Sequence, residues 1–302
     1  DRDLEEYTIK DGTVTLADNL FENWQGNATT FHIPASVEQI GNKAFAGTQI
    51  KTLPEMLGLK RIGGEAFYGC KNLKKLTIPE TVEYIGGGAF YGCSNIWSLT
   101  YNAINAECER LMESNKPLEK IVIGDKVRRL PNGIFSGREF TEVALPSCLE
   151  RIDDYAFSGC ENLTTINLSD SIRYIGDNAF SGCKNLTSIN LSDCIRYIGN
   201  NVFSECKNLT TINLSDSIRY IGEGAFYGCS SLKNIHWPLR LTTIGNYAFR
   251  QTALETISLP EGVTSVGINA FHNCPFAKTV YIPSTANVED NCSYYFEQKD
   301  GV

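Results

Sequence analysis

The sequence has few of the residues from which most enzyme sites are built. Its 302 residues include only three histidines, and His32, His236 and His272 are far apart along the chain. It contains no G-x-S-x-G nucleophile motif, no H-E-x-x-H zinc motif and no glycine-rich phosphate loop. Because catalysis needs a local constellation of nucleophile, base or metal ligands, we expect no catalytic residues, no metal site and no cofactor.

Long apolar runs and clusters of basic residues are also missing. No stretch approaches the ~18 consecutive apolar residues of a membrane-spanning helix, and the segment Asp1 to Lys10 is charged rather than signal-like. The formal net charge is -8, and no group of Lys and Arg stands out that would neutralise a run of phosphates. We therefore expect neither insertion into a membrane nor binding to nucleic acid.

The sequence does contain a repeat, which is marked by a small residue followed by Phe. The steps between these Phe residues are 22 or 23 residues, except for one gap of 45, in which Leu111-Met112 takes the place of Ala-Phe. A period this short is typical of leucine-rich repeats and excludes ankyrin, tetratricopeptide and propeller folds. The ten Phe residues are Phe45, Phe67, Phe90, Phe135, Phe157, Phe180, Phe203, Phe226, Phe249 and Phe271.

Each of the resulting eleven units begins with an alternating segment such as Leu163-x-x-Ile166-x-Leu168. Alternation predicts a short parallel strand there. Ile175-Gly176 and Ala179-Phe180 then form the return segment, in which we expect a short strand or a helical turn, with Gly allowing a sharp bend and Ala allowing close packing between coils. In an irregular unit at 102–117, the apolar residues recur at helical spacing, and this spacing predicts a helix.

The pattern I-P-x-x-V-x-x-I-G-x-x-A-F-x-G-C, which begins here at Ile78-Pro79 and ends at Cys93, resembles the BspA-like leucine-rich repeat of bacterial surface proteins. The resemblance implies a leucine-rich-repeat solenoid over residues 31–283, a curved right-handed coil with a parallel β-sheet on its concave face and short strands or helical turns on its convex face. It also implies an extracellular or cell-surface location and adhesion rather than catalysis. Because stacked repeats need capped ends, residues 1–30 and 284–302, which lack the motif, are the candidate caps.

Seven of the eleven cysteines occupy one repeat position, three residues after a Phe. Equivalent positions on stacked coils lie about 5 Å apart, so disulfides or a metal are geometrically possible. However, the chain has no C-x-x-C motif and the position follows a core Phe, which favours buried free thiols. This cysteine column consists of Cys70, Cys93, Cys160, Cys183, Cys206, Cys229 and Cys274.

The solvent-facing strand positions are the candidate ligand-binding site. In the three most similar repeats, one such position forms an Asn column and another forms a Thr/Ser column, and both offer hydrogen bonds to a peptide or glycan. Strand propensity and tandem duplication account for the same columns without any ligand. The predicted site residues are Thr165, Ser188 and Thr211, then Asn167, Asn190 and Asn213, together with the flanking Trp97, His236 and Tyr281.

An acidic column beside the strands has two interpretations. Asp170, Asp193 and Asp216 offer oxygen ligands for Ca²⁺. An arginine follows each of them three residues later, so a solvated salt-bridge ladder is the simpler explanation.

The sequence therefore predicts a non-catalytic extracellular or cell-surface binding module. Its expected partner is a host or bacterial surface protein or a glycan, through adhesion to host matrix or host cells, and the chain is expected to be a monomer. The alternative is a structural spacer that displays another domain and binds no ligand of its own. Capture of a ligand would separate the two.

Overall fold

The structure is a computed structural model and describes residues 5–112 and 117–289. The chain consists of two compact units, Asp1–Leu149 and Glu150–Val302. Each unit is a β-solenoid of short parallel strands, and the described residues contain no helix.

The strands fall into two rows. First-row strands come from the alternating segment of each repeat: β1 (Glu6–Thr8), β3 (Thr30–His32), β6 (Lys75–Ile78), β8 (Ser98–Tyr101), β10 (Lys120–Ile123), β14 (Ser188–Asn190), β16 (Thr211–Asn213), β19 (Thr256–Ser258) and β21 (Thr279–Tyr281). Second-row strands come from the return segment: β2 (Thr15–Leu16), β4 (Gln39–Ile40), β5 (Arg61–Ile62), β7 (Tyr84–Ile85), β9 (Glu107–Cys108), β11 (Arg129–Leu130), β12 (Arg151–Ile152), β13 (Tyr174–Ile175), β15 (Tyr197–Ile198), β17 (Tyr220–Ile221), β18 (Thr243–Ile244), β20 (Ser265–Val266) and β22 (Asn287–Val288).

Strands pair with the equivalent strand of the next coil, in parallel and in register. In the first unit the ladders run β6-β8-β10 and β2-β4-β5-β7-β9. In the second unit they run β12-β13, β14-β16, β19-β21 and β15-β17-β18-β20-β22. Within each ladder, a side chain therefore lies one strand spacing, about 4.8 Å, from the side chain at the equivalent position of the neighbouring coil.

The core of each unit is a stack of aliphatic side chains and phenyl rings. The rings of Phe157 and Phe180 lie 5.1 Å apart and nearly parallel, and those of Phe45 and Phe67 do the same in the first unit. These Phe side chains are fully buried. Each buried ring stabilises its unit by roughly 1.5–3 kcal/mol, but only because the neighbouring coils cover it.

The return segment bends at two residues in the left-handed region, and not at the glycine that the sequence suggested. Asn178 has a φ of 57° and Gly182 a φ of 73°. Gly176 is needed for a different reason, since a Cβ there would lie 2.5 Å from the backbone nitrogen of Asp154. Glycine thus allows close approach of successive coils, whereas the bend is made between the second-row strand and the next first-row strand.

One coil contact in the second unit is looser than the others. Val202 occupies the position of Ala179, and the rings of Phe180 and Phe203 lie 5.7 Å apart. Strands β13 and β15 do not join one ladder, although Asn178 N–H still bonds to Asn200 O at 2.9 Å. The two additional methyl groups of valine account for this separation, which agrees with the close-packing role expected for alanine.

The helix predicted at 102–117 is wrong for the residues that the structure describes there. Residues 102–112 continue the solenoid, with β9 pairing in parallel with β7, while 113–116 lie outside the described residues. Phe90 N–H bonds to Leu111 O at 3.1 Å, just as Phe67 N–H bonds to Ala89 O. Leu111-Met112 therefore does replace Ala-Phe, because hydrogen bonds to the preceding coil outweigh the local helical spacing.

Residues 6–32 contain a coil of the same layout, although the segment before residue 31 lacks the repeat motif. Strand β1 pairs with β3 and β2 pairs with β4. The ring of Phe21 stacks 5.2 Å from that of Phe45, and Tyr7 and Trp24 pack edge-on against Phe21 at 5.0 and 5.6 Å. Aromatic side chains thus cover this end of the phenyl stack. At the other end, residues 284–289 are described and include β22.

Candidate functional site

The candidate site is the exposed face of the first-row strands in the second unit. The backbone pairs Ser188 with Thr211 and Asn190 with Asn213, and an isolated parallel bridge joins Thr165 to Ser188. All six members of the Asn column and the Thr/Ser column are exposed. Because alternate residues of a strand face opposite sides, Ile189 and Ile212 between them are buried.

The polar groups of the Asn column are not used by the fold. Within residues 5–112 and 117–289, the side chains of Asn167, Asn190 and Asn213 make no hydrogen bond, so their amides do not form the ladder of mutual bonds that such columns can form. The row of threonines one position before the Thr/Ser column differs, since Thr210 Oγ1 donates to Thr187 O at 3.1 Å. The Asn column therefore keeps its donors and acceptors available to a ligand.

His236 and Tyr281 lie at the equivalent of the Asn column in later coils, but each already has an acidic partner. His236 Nε2 lies 3.1 Å from Asp216 Oδ1, and Tyr281, which pairs with Ser258 in the backbone register, donates its hydroxyl to Glu261. The Leu239 N–H and His236 lower the pKa of Asp216, and the bond to Glu261 raises the pKa of Tyr281. These two side chains are oriented by their partners.

Trp97 belongs to the first unit and immediately precedes β8. Its repeat position is that of Thr164, not that of Asn167. The indole is half-buried, and Lys75 Nζ lies 5.4 Å from its ring centroid in a cation–π contact. The structure gives Trp97 a place beside a strand, but not in the Asn or Thr/Ser column.

The expected salt-bridge ladder is wrong. In the described part of the chain, neither Asp170 nor Asp193 pairs with an arginine, and Asp216 pairs with His236 instead. Aspartate and arginine side chains are exposed here, and hydration competes well with an ion pair at such positions. Within the part of the chain that the structure describes, the three arginines therefore have no ionic partner.

The cysteine column has a structural role. All seven of its thiols are buried and free, as predicted, and six of them donate to the carbonyl of the Phe in the preceding coil at 3.1–3.2 Å. Thr48 and Thr252 occupy the same position elsewhere and are equally buried. The position thus favours a small hydrogen-bond donor, and not only a small apolar residue as the sequence suggested. Burial raises the pKa of Cys206 to about 12, so it is unreactive near neutral pH.

Sequence reasoning missed a ladder of Asp and Asn side chains after the second-row strands. Asp154 Oδ1 accepts a bond from Asp177 N–H at 2.9 Å, and Asp177 Oδ1 accepts one from Asn200 N–H at 2.7 Å. Asn200 Oδ1 in turn accepts one from Glu223 N–H. The sequence does contain a signal for this ladder, because Asp or Asn follows the repeated glycine in several units. We call these three residues the Asp/Asn ladder.

The chain matches the model of a known protein family. The model of the BspA-type leucine-rich repeat region matches residues 14–139, 129–230 and 196–300. The chain belongs to the BspA-type leucine-rich repeat family. Leucine-rich repeats of this kind are generally parts of non-catalytic binding proteins. No curated protein matched the chain.

Solved structures support the same fold for this BspA-type chain. A leucine-rich repeat protein from Bacteroides ovatus is 29% identical, with 94% of this chain and 74% of that chain covered and a TM-score of 0.62. One from Eubacterium ventriosum is 20% identical, covering 95% and 87% with a TM-score of 0.59. The pneumococcal vaccine antigen PcpA is 18% identical, covering 94% and 73% with a TM-score of 0.53. In the described residues, no helix is long and apolar enough to cross a membrane.

Proposed function

We propose that this BspA-type chain is a non-catalytic module of the cell surface or the extracellular space that binds a protein or glycan partner through the Asn and Thr/Ser columns. The observation that carries the proposal is the set of unused amides in the Asn column. The family supports a surface location and a binding role.

The chemistry of this face determines the class of ligand. Amides and hydroxyls both donate and accept hydrogen bonds, and the columns contain no charged side chain. Repetition at the strand spacing presents the same amide to successive groups of an extended ligand. A peptide backbone or a neutral glycan, each with alternating donors and acceptors, complements such a surface.

The test is a binding screen of the purified chain against immobilised extracellular-matrix proteins and a glycan array. The site variant combines Asn167→Ala, Asn190→Ala and Asn213→Ala. A matched control combines Asn162→Ala, Asn185→Ala and Asn208→Ala, which removes three exposed amides from the same repeats outside the two columns, including the pair in which Asn208 donates to Asn185. We expect the site variant to lose binding and the control to keep it.

Two outcomes would reject the proposal. If a ligand binds both variants as tightly as the native chain, the columns are not its site. If nothing in the screen binds the native chain, the spacer alternative is favoured, because a scaffold that only displays another domain needs no ligand-binding face.

A further inference from the structure

A second exposed surface of the second unit combines unpaired positive charge with aromatic rings. It lies on the second-row strands β13, β15 and β17 and the residue before each of them. The arginine–tyrosine strip, as we call it, consists of Arg173, Arg196 and Arg219 alongside Tyr174, Tyr197 and Tyr220.

The strip is ordered by the backbone. Tyr197 pairs in register with Tyr220, and Arg219 N–H bonds to Arg196 O at 2.9 Å. Tyr174 occupies the equivalent position one repeat earlier, where Arg151 Cζ lies 3.9 Å from its ring centroid. Arg196 and Arg219, like Tyr197 and Tyr220, therefore lie about one strand spacing apart. Arg173 and Tyr174 hold the same repeat positions one coil earlier, on β13, which does not join the ladder of β15.

The strip is accessible and its charge is not neutralised locally. Tyr174 is 40% exposed and Tyr197 is 62% exposed. Within the described residues, none of Arg173, Arg196 and Arg219 has an ion-pair partner.

Three aspartates near Tyr174 already accept hydrogen bonds within the fold. Asp154 and Asp177 accept backbone N–H groups of the following coil, as part of the Asp/Asn ladder. Asp153 accepts a bond from Arg151. Asp170 and Asp193 are exposed and, within the described residues, do not pair with the arginines that follow them. An anion brought by a ligand can therefore pair with the three arginines.

The first unit shows that this arrangement is not a general property of the repeat. Its column equivalent to the arginines contains charges of both signs, with Lys60 Nζ 3.0 Å from Glu38 Oε2. In the adjacent column, which is equivalent to the tyrosines, Arg129 Nη1 lies 3.8 Å from Glu107 Oε1. In the second unit the equivalent column begins with Glu150 and then holds three successive arginines, in a chain whose net charge is -8. Positive charge concentrated on a negative protein directs anionic ligands to one place.

We propose that the arginine–tyrosine strip binds acidic glycan chains, that is, polysaccharides bearing carboxylate or sulfate groups. Arginine binds such groups with paired N–H donors. A tyrosine ring offers an apolar face for the C–H face of a sugar and a hydroxyl for its polar edge. An acidic glycan repeats sugar rings and anionic groups along its length, as the strip repeats tyrosine and arginine along successive coils, whereas an acidic peptide supplies the charge without the ring.

This site is separate from the one proposed above, and its test is independent. Binding of fluorescent heparin and hyaluronan oligosaccharides, which distinguish sulfate from carboxylate, is measured for the native chain. The first variant combines Arg173→Gln, Arg196→Gln and Arg219→Gln, and the second combines Tyr197→Ala with Tyr220→Ala. The charge control combines Lys184→Gln, Lys207→Gln and Lys233→Gln, three exposed lysines of the same unit. Circular dichroism verifies that every variant folds.

We expect the arginine and tyrosine variants each to weaken binding of at least one acidic glycan by roughly tenfold or more, and the lysine control to change it by less than about threefold. The triple Asn variant of the first site should bind these glycans normally. Absence of binding to both glycans, or an equal loss in the lysine control, overturns the proposal. Tight binding of polyglutamate with no effect of the tyrosine variant assigns the strip to acidic peptides and also overturns it.

Discussion

In the second unit, polar side chains repeat in two regions, the turn after the second-row strands and the exposed face of the first-row strands. In the turn, the Asp/Asn ladder bonds each coil to the next through backbone N–H groups. On the exposed face, the side chains of the Asn column make no hydrogen bond among the described residues. Both sets recur at the repeat spacing, so recurrence alone does not separate structural from available polar groups. Their hydrogen-bond partners do.

The largest effect on stability that this comparison predicts is that of Asp177→Ala. The variant leaves the N–H of Asn200 without its carboxylate acceptor at 2.7 Å, and we expect the free energy of unfolding to fall by about 2 kcal/mol. Asp193→Ala is the matched control, because that exposed carboxylate has no partner in the described residues, and its effect should stay within about 0.5 kcal/mol. Urea denaturation of both variants measures the difference, and equal losses would contradict the comparison.

The sequence predicted the fold well because the repeat is carried by buried side chains. Alternation and the Ala-Phe motif are requirements of packing between coils, and each is repeated many times. Leu111-Met112 was correctly aligned for the same reason. The helix at 102–117 was predicted wrongly, since local spacing contains no information about hydrogen bonds to another coil.

The polar residues were harder to predict. Asp170 and Asp177 are the same residue type in one repeat, yet only Asp177 accepts a backbone bond from the next coil. Spacing placed an arginine three residues after Asp170 and thereby suggested an ion pair, but solvation of exposed charges prevailed. The columns of the candidate site were correctly placed on one exposed face, whereas their role as a ligand site remains a prediction.

A second prediction concerns the cysteine column, in which the side chain that bonds to the preceding coil is a thiol. Cys206→Ala removes the bond to Phe180 O and leaves a small void, so we expect a loss of about 1.5 kcal/mol. Cys206→Thr should cost less, because Thr252 occupies the equivalent position. Cys194→Ser is the control, since Cys194 is exposed and the neighbouring copies have serine there. Thermal and urea unfolding compare the three, and a threonine variant as unstable as the alanine variant would contradict the role of a hydrogen-bond donor.

A third prediction concerns a charged residue whose left-handed backbone conformation costs more free energy than its ion pair contributes. Glu205 has a φ of 60°, at a position where Gly182 and Gly228 occur in the adjacent coils. Its ion pair with Lys207 is exposed and contributes little. Glu205→Gly should therefore stabilise the chain by about 1 kcal/mol. The reciprocal variant Gly182→Glu should destabilise it by a similar amount, and a loss of stability in both would contradict this explanation.

The smallest predicted effect separates two adjacent threonines on the first-row face. Thr210 Oγ1 donates to Thr187 O at 3.1 Å, whereas the Thr211 hydroxyl has no partner in the described part of the chain. Valine preserves the shape and the strand propensity of threonine and removes only the hydroxyl. Thr210→Val should lower the free energy of unfolding by about 0.5 kcal/mol, and Thr211→Val should leave it unchanged while weakening any ligand held by the Thr/Ser column. Because both residues are exposed, solvation affects them alike, and the difference between the variants isolates the bond between coils. If Thr211→Val proves the more destabilising of the two, hydrogen-bond partners do not distinguish the structural row from the available one.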